Sequence, residues 1–95
     1  MEALFKALAD PTRRALLDAL SERDGQTLFE LCARMATTHG LTSSRQAISQ
    51  HLDVLEAAGL VRTRRDGRYK FHDLDTSPLR EISARWPQTD GRTPE

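Results

Sequence analysis

Cysteine is nearly absent from this sequence, and long apolar runs are absent altogether. One thiol in 95 residues, Cys32, excludes an internal disulfide framework and fits a reducing compartment. No stretch approaches the roughly 20 apolar residues that span a bilayer. The start MEALFKALAD has neither the charged first segment nor the unbroken apolar stretch of a secretory leader, so no membrane association is expected and the cytoplasm is the predicted location. There is no glycine-rich phosphate loop, no nucleophile elbow and no His–Cys pairing that the predicted elements bring together, and the acids are scattered over solvent faces. An enzyme is not expected. Neither an internal repeat nor a low-complexity block interrupts the chain. At 38% hydrophobic content, a chain of this length builds one domain with a modest core, which a homodimer would supplement.

What is present is charge, unevenly placed. Lys and Arg balance Asp and Glu at 14 each. Between Thr42 and His72, however, six basic residues meet three acids, leaving the remainder with eight against eleven. The stretch RTRRDGRYKF, residues 62–71, holds five of those cations and one acid. A local field of this kind steers polyanions.

Apolar spacing organises the chain around that patch. Leu4, Phe5 and Leu8, then Leu16, Leu17 and Leu20, recur at helical intervals, with a break at Asp10-Pro11 where aspartate caps and proline enters a first turn. SERDGQ reads as a loop. Thr27 and Glu30 have the spacing of a capping box ahead of a helix whose stripe is Leu28, Leu31, Cys32 and Met35. TTHGLTS, residues 37–43, reads as turn material. From Ser44 the spacing of Ile48, Leu52 and Leu55 predicts a helix through Ala58, stopped by Gly59 at C′. A two-stranded hairpin follows, then a helix from about Pro78 to Trp86. The expected organisation is a single domain over 1–86 and a frayed tail over 87–95.

The hairpin's register decides where its charges point. A tight Asp66-Gly67 turn would put Arg62 and Arg64 on one face with Tyr69 and Phe71, mixing charge with aromatics. A three-residue loop, Arg65-Asp66-Gly67, instead pairs Arg64 with Arg68, Arg62 with Lys70 and Val61 with Phe71. That register is the one expected here. It turns Val61, Thr63, Tyr69 and Phe71 to the core and lines the outside with Arg62, Arg64, Arg68 and Lys70.

The preceding helix supplies a complementary surface. With Ile48, Leu52 and Leu55 inward, Arg45, Gln46, Ser49 and Gln50 occupy the opposite side of its first two turns. Arg pairs with guanine, Gln with adenine and Ser with either bases or phosphates, which is the chemistry of the DNA major groove. A groove-reading helix followed by a cationic hairpin is the winged form of the helix-turn-helix, a mainly α fold with a small β-hairpin (α+β). Arg62, Arg64, Arg68 and Lys70, joined by Ser44 at the helix start, then contact the phosphate backbone of double-stranded DNA.

FKALADPTRRALLDAL, SRQAISQHLDVLEAAGLV and RTRRDGRYKFHDLD together resemble the ArsR (ArsR/SmtB) family of bacterial winged-helix repressors, over about Phe5 to Trp86. The most specific part is Ser49-Gln50-His51-Leu52 leading into Leu55, Glu56, Gly59, Leu60 and Val61. The resemblance implies a homodimer joined through its first and last helices, by Leu4, Phe5, Leu8, Leu79, Ile82 and Trp86. It also implies repression at an operator with two-fold symmetry. Two departures argue against metal sensing. FELCARM keeps Cys32 but has Arg34 where one family metal site has a second cysteine, and SPLREISARW contributes no histidine to the other. No metal and no cofactor are expected. The segment between Leu31 and Ser44 is also longer than the usual family turn.

Other residues have plainer readings. Cys32 lies on an apolar stripe as a small buried side chain. His39 is a solvated turn residue. His51 either contacts phosphate or caps a neighbouring element, and His72 extends the wing's cationic face. The competing function is a winged-helix module that docks an acidic protein, against which Arg45, Gln46, Ser49 and Gln50 argue, because a protein-binding face exposes apolar anchors. An effector-sensing regulator is a further alternative, with any inducer at the dimer interface or on a partner.

Overall fold

The computed structural model describes residues 1–88. Five helices and one antiparallel hairpin follow one another as α1 (Glu2–Leu8), α2 (Pro11–Glu22), α3 (Leu28–Thr38), α4 (Arg45–Ala57), β1 (Val61–Asp66), β2 (Tyr69–Leu74) and α5 (Leu79–Arg85). Most of the expected tail, 89–95, lies outside the described residues.

The DPTRR segment closes one helix while it opens the next. Asp10 accepts from the backbone N–H of Arg13 at 3.1 Å, and Pro11 occupies the first turn, where its missing N–H costs nothing. Arg13 then reaches back, donating from Nε to the carbonyl of Ala7 and from Nη2 to that of Lys6, while Arg14 donates to Leu8. The last carbonyls of α1, which lack helical partners, are satisfied by guanidinium groups of α2. Burial opposes ionisation of Asp10. The backbone amides of Arg13 and Thr12 and the Arg13 charge outweigh it and hold the carboxyl below its ordinary range.

Helix α3 opens with the anticipated capping box, since Glu30 N donates to Thr27 and Thr27 N donates to Glu30. Its last turn runs through Thr38, into residues expected to be turn. Thr37 contributes by returning its hydroxyl to the Ala33 carbonyl at 2.9 Å, and Met35 accepts from both His39 and Leu41 as the helix ends. Helix α4 is capped by Ser44, whose side chain accepts from Ala47 N at 3.0 Å. It stops at Gly59, where φ is +81° and the amide of Leu60 closes onto Leu55. A side chain at Gly59 would also meet Pro78 at 3.2 Å.

The core is one cluster drawn from the first four helices and the base of the hairpin. Leu16, Leu20, Leu31, Met35, Ile48, Leu55, Leu60 and Val61 are its fully buried large side chains. Leu4 joins them at 3% exposure, so it packs inside the protomer instead of presenting itself to a partner as the resemblance implied. The α1 stripe is amphipathic, and its two leading apolar residues, Leu4 and Phe5, are adjacent and must diverge by about 100° around the helix. Leu4 takes the inner side and Phe5 the outer.

The hairpin departs from the expected register. Val61 pairs with Leu74, Thr63 with His72, Arg64 with Phe71 and Asp66 with Tyr69 around a two-residue Gly67-Arg68 turn. Gly67 has φ +66°, the conformation that the first position of such a turn demands and that only glycine enters freely. Relative to the expected pairing β2 is displaced by an odd number of residues, which exchanges its faces. His72 and Leu74 accompany Val61 and Thr63 inward, while Tyr69 and Phe71 share the outer face with Arg62 and Arg64.

A contact from one distant chain segment explains the outcome. His72 forms a β-bridge with Gln26, exchanging three main-chain hydrogen bonds with Gly25 and Gln26, and its Nδ1–H donates to the Gln26 carbonyl at 2.8 Å. Asp75 N donates to the Leu60 carbonyl and secures the base. The mixed outer face is stable because Arg64 lies over the Phe71 ring at 5.2 Å and holds Asp73 with two nitrogens, at 2.7 and 3.3 Å. Cation–π contact and ion pairing together make charge and aromatic compatible neighbours.

Candidate nucleic-acid interface

Helices α3 and α4, linked through residues 39–44, form a helix pair, and the hairpin stands beside α4 as its wing. Because α4 buries Ile48, Leu52 and Leu55, its first two turns expose Arg45, Gln46 and Gln50 and leave Ser49 half-buried. The four candidate base-reading residues are therefore on one surface, as two adjoining stripes: Arg45 with Ser49, and Gln46 with Gln50. The structure leaves Ser44 exposed but engages its hydroxyl oxygen as the α4 cap.

The wing's cations divide into two groups. Arg64 is paired with Asp73, and Arg62 lies 3.7 Å from Asp75. Asp73 and Asp75 follow directly on the basic stretch, so two of the local positive charges meet two acids in HDLD. Among the described residues, Arg45, Arg65, Arg68 and Lys70 enter no ion pair. Arg65 belongs to this group although the expected register hid it in the loop. It pairs across the strands with Lys70 near the turn.

The three histidines have separate fates. His72 is 4% exposed and turned inward, which overturns its assignment to the wing's cationic face. His51 receives the Nη1–H of Arg13 at 3.1 Å on Nδ1. A guanidinium only donates, so Nδ1 is the accepting nitrogen and the ring ties α4 to the α1–α2 junction. His39 is half-buried at the end of α3, with Nε2 shielded and without a hydrogen-bond partner among the described residues.

Cys32 is partly buried. Burial pushes its thiol up, with the Arg45 charge acting in the opposite sense, so thiolate is scarce and the side chain is chemically quiet. No three His, Cys, Asp or Glu side chains converge as metal ligands among the described residues, and no described helix is long and apolar enough to cross a membrane.

Gln26 is the position that reading along the chain misses most completely. The sequence puts it in a loop, yet it is 1% exposed and donates from Nε2 to the carbonyls of Ala19 and Arg23, closing α2 while its main chain receives the wing. No local pattern signals this, because the pairing partner His72 lies 46 residues away.

On α1 and α5, Phe5, Leu79 and Trp86 are exposed by 43%, 37% and 59%. Leu8 and Ile82 are half-buried against the protomer's core.

A helix pair with an exposed polar reading face and an adjacent hairpin defines the winged helix-turn-helix class of DNA-binding proteins. A family profile described as a helix-turn-helix domain matches residues 8–64. The uncharacterized HTH-type transcriptional regulator YuzN of Bacillus subtilis is 48% identical over 85 residues, covering 90% of this chain and 92% of that one. The transcriptional repressor SdpR of the same organism is 34% identical over 86 residues, with coverages of 90% and 87%. Among solved structures, an ArsR-like transcriptional regulator from Rhodococcus sp. RHA1 superposes with a TM-score of 0.76 at 33% identity, over 88% of this chain and 71% of that one. The chain belongs to the ArsR family of winged helix-turn-helix regulators. It is a DNA-binding transcriptional regulator and not an enzyme.

Proposed function

We propose that the chain is a homodimeric repressor whose α4 enters the major groove of a two-fold symmetric operator while the wing grips the flanking backbone. The observation that carries this reading is the juxtaposition, on one side of the protomer, of an exposed hydrogen-bonding helix face with wing cations that enter no ion pair among the described residues. Arg45, Gln46, Ser49 and Gln50 read bases, because their donors and acceptors match base edges. Arg65, Arg68 and Lys70 hold phosphates, with Arg62 and Arg64 contacting the backbone while sharing their charge with Asp75 and Asp73, and Ser44 contacting it at the start of α4. Residues 1–86 act as one DNA-binding domain, working in the cytoplasm where the DNA is.

The dimer reading rests on α1 and α5. Phe5, Leu79 and Trp86 leave apolar surface exposed among the described residues, with Arg85 over one side of the Trp86 ring, and a C2 pairing buries the same surface of both copies. Leu8 and Ile82 support that patch from beneath. Repression follows from occupancy of a promoter, and the likeness to a named repressor, SdpR, favours it over activation.

Selection of duplexes from a random pool, followed by fluorescence anisotropy across salt concentrations, tests the reading. A two-fold symmetric consensus with steep salt dependence supports it. Weak binding without sequence preference refutes it and leaves a winged helix that docks an acidic protein.

A further inference from the structure

Between the first turn of α3, one stripe of α4 and strand β2 lies an open cleft of about 690 Å³, which phosphate contact does not explain. That size is typical of small-molecule sites. Much of its lining is apolar: Leu28, Phe29, Leu52, Tyr69 and Phe71. Phe29 and Tyr69 are 68% and 59% exposed, and neither is needed to complete the core. A phosphate backbone is held by cations, amides and hydroxyls, so the Phe29 and Phe71 rings answer a different ligand.

Charge narrows the ligand's chemistry. Arg45, Arg68 and Lys70 line the cleft, and none is in an ion pair among the described residues. Of the lining acids, Glu30 is committed to the α3 cap and Arg23, while Glu56, which accepts from the Thr63 hydroxyl at 3.2 Å, keeps its charge eleven residues along α4 from Arg45. Asp53 stands eight residues along α4 from Arg45, about 12 Å by helical rise, so the cation at the helix start is well separated from it. The wall thus offers uncommitted positive charge beside aromatic rings.

We propose that this cleft binds a small planar aromatic carboxylate, its ring against Phe29, Tyr69 and Phe71 and its anion on the unpaired cations, and that occupancy excludes DNA. The exclusion rests on the preceding functional reading, because Arg45, Ser49, Arg68 and Lys70 line the cleft and are also assigned to DNA. Ligand and operator compete for the same side chains, so the site works as an inducer pocket within one protomer, apart from the dimer face.

The probe is 2-naphthoate, titrated first into the free protein and followed by amide NMR shifts. Saturable shifts centred on Phe29, Ser49, Tyr69 and Phe71 are expected at a dissociation constant of about 1 mM or tighter, reasonable for a ligand of this size. Phe29→Ala, at an exposed position outside the core, weakens the probe by roughly fivefold or more, and the neutral naphthalene-2-carboxamide binds less tightly than the acid. Circular dichroism melting confirms that the variant is folded. No saturable shift, shifts confined to α1 and α5, or equal affinity for the neutral amide overturns the site.

The second arm adds the probe to the protein bound to its selected duplex. Release of DNA by the probe, at higher concentrations for Phe29→Ala than for the parent, supports exclusion. A probe seated in the cleft with unchanged DNA affinity overturns it. If the probe seats while no duplex is ever enriched, the ligand site stands and the DNA reading falls.

Discussion

Helix α4 and the wing are adjacent in sequence and together make the proposed DNA face, but they obey different rules. The helix folds as its own spacing dictates. Ser44, the apolar run Ile48, Leu52 and Leu55, and Gly59 set its start, inward face and end within 16 residues. The wing takes its register from Gln26, in a segment that it meets only when the domain closes. Helix contacts are local, whereas a hairpin face is decided by whatever it packs against.

The largest effect expected from testing this contrast is global. Leu55→Ala removes a fully buried side chain from α4 and should destabilise the domain by about 2–5 kcal/mol, measured by urea unfolding. Equal or greater loss from a substitution in the wing would invert the comparison. Gln26→Ala removes the side-chain donor from the carbonyls of Arg23 and of Ala19, the latter keeping Arg23 N, beneath the wing's bridge, at about 1–3 kcal/mol. Hydrogen exchange at the His72 amide should accelerate more than at Leu52, and parallel acceleration would mean that the hairpin is not separately anchored.

At the DNA face the same contrast becomes one of specificity against grip. Gln50→Ala should cost about 1–3 kcal/mol on the selected site and little on random DNA. Arg68→Ala should weaken both alike and flatten the salt dependence by about 0.9 in logarithmic slope. Arg64→Ala should flatten it less, because its guanidinium already holds Asp73 and releases fewer counterions on binding. Identical slopes for the two arginine variants would show that the ion pair does not persist in solution.

The smallest effect is on acid stability. Asp10 and Glu30 both ionise below their ordinary ranges: for Asp10 burial is outweighed by the Arg13 amide and nearby charge, and for Glu30 the Thr27 amide leads. Each contributes stability that is complete above its unfolded-state pKa and lost as pH falls through its folded value. The melting temperature should therefore drop between about pH 5 and pH 3, and less steeply in Asp10→Asn. An unchanged profile would remove the cap's charge from the account.

Much of the site was legible because it is helical. Arg45, Gln46, Ser49 and Gln50 share a surface by periodicity alone. The wing was legible as a basic hairpin but not as a pair of faces. Keeping aromatics inward and charges outward is a sound default for a strand, but Arg64, Phe71 and Asp73 evade it by contacting one another. The balance of charge was misread for a similar reason: Asp73 and Asp75 lie just beyond the basic stretch, and only pairing across the hairpin base brings them to Arg64 and Arg62.

From the sequence alone came the order of elements, the caps at Asp10, Thr27 and Ser44, the stop at Gly59, the reading face of α4 and the family resemblance. All rest on interactions within a few residues, or on motifs that survive as contiguous text. Tertiary structure decided the wing's register, the burial of Gln26 and His72, the inward turn of Leu4, which cations stay unpaired, and the cleft between α4 and the wing. Each depends on groups far apart in the chain, whose meeting is selected by the closure of the whole core and by no local preference.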